Sequence, residues 1–267
     1  MYLYLLVIVF ALLVVLRLTQ KPSIVWTCTT FFDCPKRDSW KMFTQGIDGL
    51  LSLHDSRTIA YIDRWIVVNE YSETRKQPWP TLMKEKYPFI TFIQKENKEH
   101  SGQVKSLNML FPLIQPYKYW FHWEEGWRPT YSFLRRSIEI LESTNISQLQ
   151  LTSEPNDIMD WMFRTSEKKT CEKDYCIISH TKEMDNNLGP LKIKTFDAMC
   201  RYWPLYSLKP SLNRVAFYNF GSFSEAKFPY PLVSEYDFAE RWYKRNGIKG
   251  VFKHGPLIRP ENYISTH

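Results

Sequence analysis

Residues 117–127 read YKYWFHWEEGW. Aromatic residues, which favour strands, run almost unbroken from Tyr117 to Trp123 and then meet two adjacent acids, Glu124 and Glu125. A run this apolar has no face for solvent, so it reads as a buried strand. Adjacent carboxylates repel each other and are seldom placed among tryptophans without a compensating cation. The strand therefore ends either at a site or at a solvated acidic turn between two packed tryptophans.

Working outward, the chain alternates strands and helices. The segments IVWTCTTFF (24–32), RWIVVNEYS (64–72), FITFIQKE (89–96) and ISQLQLTSE (146–154) read as strands. Apolar residues at helical spacing mark helices over 37–53, 79–87, 101–114 and 131–143. This alternation predicts an α/β fold, a mostly parallel sheet flanked by helices. Ligands on such sheets bind at the carboxyl ends of the strands. Those ends carry Thr29–Thr30, Asn69–Glu70, Gln94–Lys95 and Glu124–Glu125, so four strands bring polar residues to one rim.

The remaining composition sets bounds. The 267 residues carry a net charge of +7, but the basic residues are scattered and form no nucleic-acid signature. A nucleotide-sugar site or an anionic membrane surface fits that balance equally well. Residues 1–16 are wholly apolar, and Met1 to Leu18 as a helix would span about 27 Å. The expectation is a single-pass transmembrane anchor over 1–20 and one domain over 21–267. Arg17, Lys21, Lys36 and Arg37 follow the anchor, which leans that domain towards the cytosol. Five cysteines leave one unpaired in any complete pairing, which fits a reducing compartment; the sequon at Asn145 points the other way.

The order of the motifs VVNEYS (67–72), GQVKSLN (102–108) and WEEGW (123–127) resembles the inverting family 2-like glycosyltransferases of GT-A (Rossmann-like) fold, a subgroup of which carries an lEdDW-type acidic motif. The later SEYDFAERWYKRNGIKGVFKHG (234–255) is similar to that family's acidic helix followed by a late histidine. The resemblance implies a nucleotide-sugar donor, a glycan, glycolipid or glycoprotein acceptor, and Mn²⁺ or Mg²⁺ held by Glu124 and Glu125. It places Thr29, Glu70, Lys95, Glu124 and His254 at the nucleotide and its diphosphate, with Arg259 near His254. Gly126 stands where the family's second Asp, often a metal ligand, would be.

An inverting transfer needs a carboxylate to take the proton of the attacking hydroxyl. Glu235 and Asp237 are the candidates, in the first turn of a helix for which Ser234 reads as the N-cap. Acids there also favour the helix dipole, a purely structural role open to both. Glu240 reads as a structural i,i+4 partner of Lys244. The aromatic residues Trp161, Tyr202 and Trp203 lie where an acceptor would be recognised. The alternative reading is a catalytically inactive GT-A-like module that binds glycans or serves as a scaffold. A metal-dependent nuclease or hydrolase would need clustered acids and histidines that the sequence lacks.

Overall fold

The computed structural model describes residues 23–75, 77–152, 167–180, 204–225 and 232–259. The expected anchor over 1–20 and the aromatic residues Trp161, Tyr202 and Trp203 lie outside them. Among the described residues no helix is long and apolar enough to cross a membrane.

The first half is a run of strand–helix units. Strand β1 (Ile24–Thr30) leads to α1 (Ser39–Leu53), which starts at Asp38, whose carboxylate accepts from the Lys41 N–H at 2.9 Å. After the short turn α2 (Ser56–Ile59) come β2 (Ile62–Asn69), α3 (Trp79–Lys86) and β3 (Ile90–Gln94). Helix α4 (Gln103–Ile114), β4 (Tyr119–Glu124), β5 (Arg128–Pro129) and α5 (Leu134–Ser143) follow. The second half holds β6 (Gln148–Gln150), the hairpin β7 (Glu167–Cys171) and β8 (Tyr175–His180), β9 (Ser211–Arg214), α6 (Leu232–Tyr243), β10 (Lys249–Phe252) and β11 (Leu257–Ile258).

Nine strands form one sheet in the order β3-β2-β1-β4-β9-β6-β10-β8-β7, and β5 pairs with β11 in a second, two-stranded sheet. The parallel character stops at β4. Strands β3, β2, β1 and β4 are parallel neighbours, but β9 runs antiparallel to both β4 and β6, and β8 runs antiparallel to β10 and β7. The expected mostly parallel sheet is thus a mixed one. Its reason lies in β9, which reverses direction between two strands and breaks the succession of right-handed crossovers.

Both faces of the sheet are covered. On one, Trp26, Phe121, Leu149 and Leu212 pack with Phe43, Ile47 and Leu50 of α1 and Ile138 and Leu141 of α5. On the other, Val25 and Trp120 meet Leu107, Leu110 and Ile114 of α4 and Phe238 and Trp242 of α6. As central strands covered on both faces, β1 and β4 are buried at nearly every position, Thr27, Thr30 and His122 included.

His54 ties two helices together. Its Nδ1–H donates to the Leu50 carbonyl at 2.9 Å, and its Nε2 accepts the backbone N–H groups of Phe133 and Leu134 at 3.0 and 3.1 Å. The ring must be neutral to accept there. Burial holds its pKa below the usual 6.5, with the Leu50 bond and Asp55 opposing. Stability from this group is complete above pH 6.5 and is lost as pH falls through the lowered value. His54→Ala leaves two buried N–H groups unmet. It should cost about 1–3 kcal/mol in urea unfolding and remove that acid-side decline.

Cys171 and Cys176, directly paired across the β7–β8 hairpin, form a disulfide. Cys28 and Cys34 are free and buried.

Candidate active site

A cleft of about 290 Å³ opens at the carboxyl ends of β1, β2 and β4. Thr29, Thr30 and Phe31 contribute from β1 and its loop, Glu70 and Tyr71 from the end of β2, Ser101, Gly102 and Gln103 from the start of α4, and Glu124 and Glu125 from the end of β4. Arg37 reaches in from the loop before α1. Three of the four expected strand ends contribute to this cleft, and the end of β3, Gln94–Lys95, does not line it.

The strand ends are locked to one another. Asn69 is fully buried; its Oδ1 accepts from the Thr30 hydroxyl and the Phe32 N–H, both at 3.0 Å, and its Nδ2 donates to Gln94 at 2.9 Å. Glu70 accepts from Lys95 Nζ at 3.0 and 3.1 Å, from the Gly102 N–H at 2.8 Å and from the Ser106 hydroxyl. Its carboxylate sits at the N-terminus of α4, where the dipole favours a negative charge. Gly102, at φ 109, permits that approach. Lys95 is only 3% exposed; burial lowers its pKa and the Glu70 carboxylate opposes that. Lys95 therefore holds Glu70 rather than reaching a phosphate, which corrects its expected role.

The acid pair finds its compensating cations within the chain. Glu125, 4% exposed, accepts the Phe31 N–H at 2.9 Å on Oε2. Its Oε1 accepts from the Ser39 hydroxyl at 3.0 Å, from Arg37 Nε at 3.1 Å and from Arg37 Nη2. Glu124 accepts from Gln103 Nε2 at 3.2 Å on one oxygen. On the other it accepts from Arg259 Nη2 at 2.8 Å and Trp127 Nε1 at 3.3 Å. The Arg259 guanidinium lies 4.4 Å from the Trp127 ring centroid.

Gly126 has φ 86, a left-handed conformation that glycine adopts without steric cost. The turn brings the Trp127 carbonyl onto α1, where a Cβ on Gly46 would lie 2.7 Å from its oxygen. Gly46→Ala must push the acidic turn away and should cost about 1–3 kcal/mol in thermal unfolding, with a changed tryptophan emission.

These residues do not fit a bridging Mn²⁺ or Mg²⁺. Such an ion takes one or two carboxylates besides phosphate and water, yet the Glu125 oxygens share four donor contacts, Glu124 is paired with Arg259, and position 126 has no side chain. Among the described residues no three His, Cys, Asp or Glu side chains are grouped to hold a metal. The metal role expected for Glu124 and Glu125 is replaced by two arginine ion pairs.

The two candidate bases part company. Helix α6 begins at Leu232, before Ser234, so Ser234 is not its cap. Asp237 pairs with Arg241 at 2.9 Å on the helix surface, an i,i+4 contact, which corrects its expected catalytic role. Glu240 pairs with Lys244 as expected. Glu235 is half-buried and does not line the cleft; its Oε1 accepts the Leu208 N–H at 2.9 Å. Burial, with a smaller contribution from the nearby Glu124 charge, raises its pKa to about 7, against the Leu208 bond. Glu124, which lines the cleft, contributes to that rise through its charge, although Glu235 itself does not line the cleft.

His254 sits exposed in the turn between β10 and β11, where its carbonyl accepts from the Tyr131 hydroxyl, and it does not line the cleft. The residue of that segment that reaches the acidic turn is Arg259. Arg37 and Gln103 escaped sequence reasoning altogether; the only signal was that both follow strand ends on the predicted rim.

The same fold occurs in solved structures. S. aureus TarS 1–349 in complex with UDP-GlcNAc matches at TM-score 0.54 and 13% identity, over 91% of this chain and 62% of that one. A second TarS 1–349 structure matches at 0.53 and 13% identity, over 86% and 57%, and a longer TarS chain at 0.53 and 13% identity, over 86% and 35%. The chain thus spans less than two thirds of the length of these proteins. No family model and no curated protein matches the sequence. The chain has a mixed α/β, GT-A-like fold, with a large central sheet flanked by helices.

Proposed function

We propose that the chain is an inverting glycosyltransferase that moves a sugar from a nucleoside-diphosphate sugar to a glycan, glycolipid or glycoprotein acceptor. One observation carries the reading: a polar cleft lies at the carboxyl ends of β1, β2 and β4, with the half-buried carboxylate of Glu235, held by the Leu208 N–H and raised to a pKa of about 7, within the electrostatic reach of Glu124. The GT-A-like fold supports it, and a TarS structure of that fold was solved with UDP-GlcNAc. In the proposed reaction the acceptor oxygen attacks the anomeric carbon and its proton passes to Glu235. The bond from that carbon to the pyrophosphate oxygen breaks, and the nucleoside diphosphate leaves with the electron pair. A base near pH 7 is well matched to proton transfer at neutral pH.

Thr29, Tyr71 and the Phe31 loop are the groups offered to the nucleotide, and Glu70 shapes the cleft by holding α4. Residues 1–20 are proposed to anchor the domain to a membrane. The test is a panel of UDP- and GDP-sugars, scored for binding and for donor turnover with mixed glycan acceptors. Binding and turnover of one donor are expected, and no binding of any donor would refute the reading.

A second reading, a glycan-binding or scaffold module without turnover, is favoured by the acid pair being fully engaged with arginines. Glycan affinity with no donor binding would select it.

A further inference from the structure

The turn between α5 and β6 carries the chain's one Asn-x-Ser/Thr triplet, Asn145-Ile146-Ser147. The residues around Asn145 are drawn inward. The Arg214 guanidinium donates to the carbonyls of Leu141, of Thr144 at 2.9 Å and of Ile146 at 2.8 Å. The Thr144 hydroxyl donates to the Ile140 carbonyl at 2.7 Å and accepts the Ile146 N–H at 3.3 Å. Ile146 and Ser147 are both fully buried, and the Ser147 hydroxyl accepts the Ile248 N–H at 2.9 Å. Asn145 is left exposed, and its side chain has no hydrogen-bond partner among the described residues. Its φ is not positive, unlike that of Asn246 at 57, so the turn itself does not call for an asparagine. From this arrangement we propose that Asn145 is a modification site bearing an N-linked oligosaccharide, which requires the domain to face an oxidising lumen.

An exposed, unengaged amide suits the transfer. Asn145 Nδ2 attacks the anomeric carbon of an oligosaccharide carried on a lipid diphosphate and gives up one proton to a base of the transferring enzyme. The bond from that carbon to the phosphate oxygen breaks, and the lipid diphosphate leaves with the electron pair. The fold loses nothing by it, since Ile146 keeps its place in the core and Ser147 its bond to Ile248. Strand β6 runs the same way as β4, because both oppose β9, so its start lies at the end of the sheet away from the cleft. A bulky glycan there leaves the cleft open.

A second, independent feature points to the same compartment. Cys171 and Cys176 are joined across the β7–β8 hairpin, and Cys171 is exposed, where a reducing thiol pool would reach it. The free thiols of Cys28 and Cys34 are buried. Burial, with the Glu125 and Glu124 charges, also pushes the Cys28 thiol up, so it is a poor partner for exchange with that disulfide. The basic residues that follow the apolar run favour the cytosolic side, so the signals are opposed and the state of Asn145 decides between them.

The experiment expresses the full chain in eukaryotic cells and recovers it from the membrane fraction. The protein is digested with peptide N-glycosidase in isotopically labelled water, and its peptides are read by mass spectrometry. The expected result is one mobility shift that digestion removes, with Asn145 returned as labelled aspartate. Asn145→Gln should lack the shift and keep the circular dichroism of the parent, because the side chain it replaces holds nothing in place. Cys171 and Cys176 should resist alkylation until reductant is added. An unmodified Asn145, a shift that persists in Asn145→Gln, or alkylation of Cys171 without reductant would each overturn the proposal. None of these outcomes bears on the transferase reading, which is tested by donor binding at the cleft.

Discussion

Glu235→Gln is expected to lower kcat by about 10²–10⁴-fold while leaving nucleotide-sugar affinity nearly unchanged. The amide keeps the shape and can still accept the Leu208 N–H, but it cannot take a proton. In the parent protein kcat/KM should rise with pH and level off above about 7, because Glu235 is a base only when ionised. The variant should lose that limb. Stability runs the other way. Since folding raises the Glu235 pKa from 4.5 to about 7, its contribution is complete below pH 4.5 and is lost as pH rises through about 7. A protein that is more active yet slightly less stable at pH 8 than at pH 5 is the combined expectation. An unchanged rate in Glu235→Gln would remove it as the base, and Asp237→Asn should by contrast have little effect on turnover.

Glu125→Ala is expected to destabilise the fold by about 3–5 kcal/mol, because it leaves the Arg37 guanidinium buried without its partner. In a chain of this size that corresponds to roughly 6–20 °C in Tm. The opposite sign is the informative alternative. Were Glu125 a ligand awaiting a metal, removing one of two repelling carboxylates would stabilise the metal-free protein. Replacing the pair together, Arg37→Met with Glu125→Leu, should recover much of the loss, since an apolar pair of similar volume removes the unpaired charge. Calorimetric unfolding of the three proteins in EDTA decides between the accounts.

Much of the first half was legible in the residues. Continuous apolar runs with clear breaks gave β1 to β4 and the helices between them to within a few residues, and the rule that ligands sit at strand ends located the cleft. In the second half β6 and α6 were legible, and the other strands were not. Strand β9 is Ser-Leu-Asn-Arg, and its polar side chains are buried in a network with Gln148 and Tyr218 that no periodicity reports. Strand β7 is Glu-Lys-Lys-Thr-Cys, an edge strand with no apolar signature. At the site, the adjacent glutamates announced that a cation was needed but not which one. Arg37 lies 88 residues from Glu125, and Arg259 lies 135 from Glu124. Such pairings come from the closing of the sheet, and local sequence carries no trace of them.

Helix α1 grips the acidic turn beside the cleft, and Glu125 of that turn in its turn holds the β1 loop through the Phe31 N–H. The first turn of α1 holds Glu125 through Ser39, while Gly46, two turns on, receives the Trp127 carbonyl, and Gln45 binds Arg128. The β1 loop and the acidic turn are therefore pinned to one rod and must travel together. Any widening to admit a bulky sugar has to come from the start of α4, by parting Gln103 from Glu124. Substitutions that loosen the first turn of α4 are accordingly the ones that should broaden the range of donors accepted, whereas changes along α1 should shift the whole bank at once.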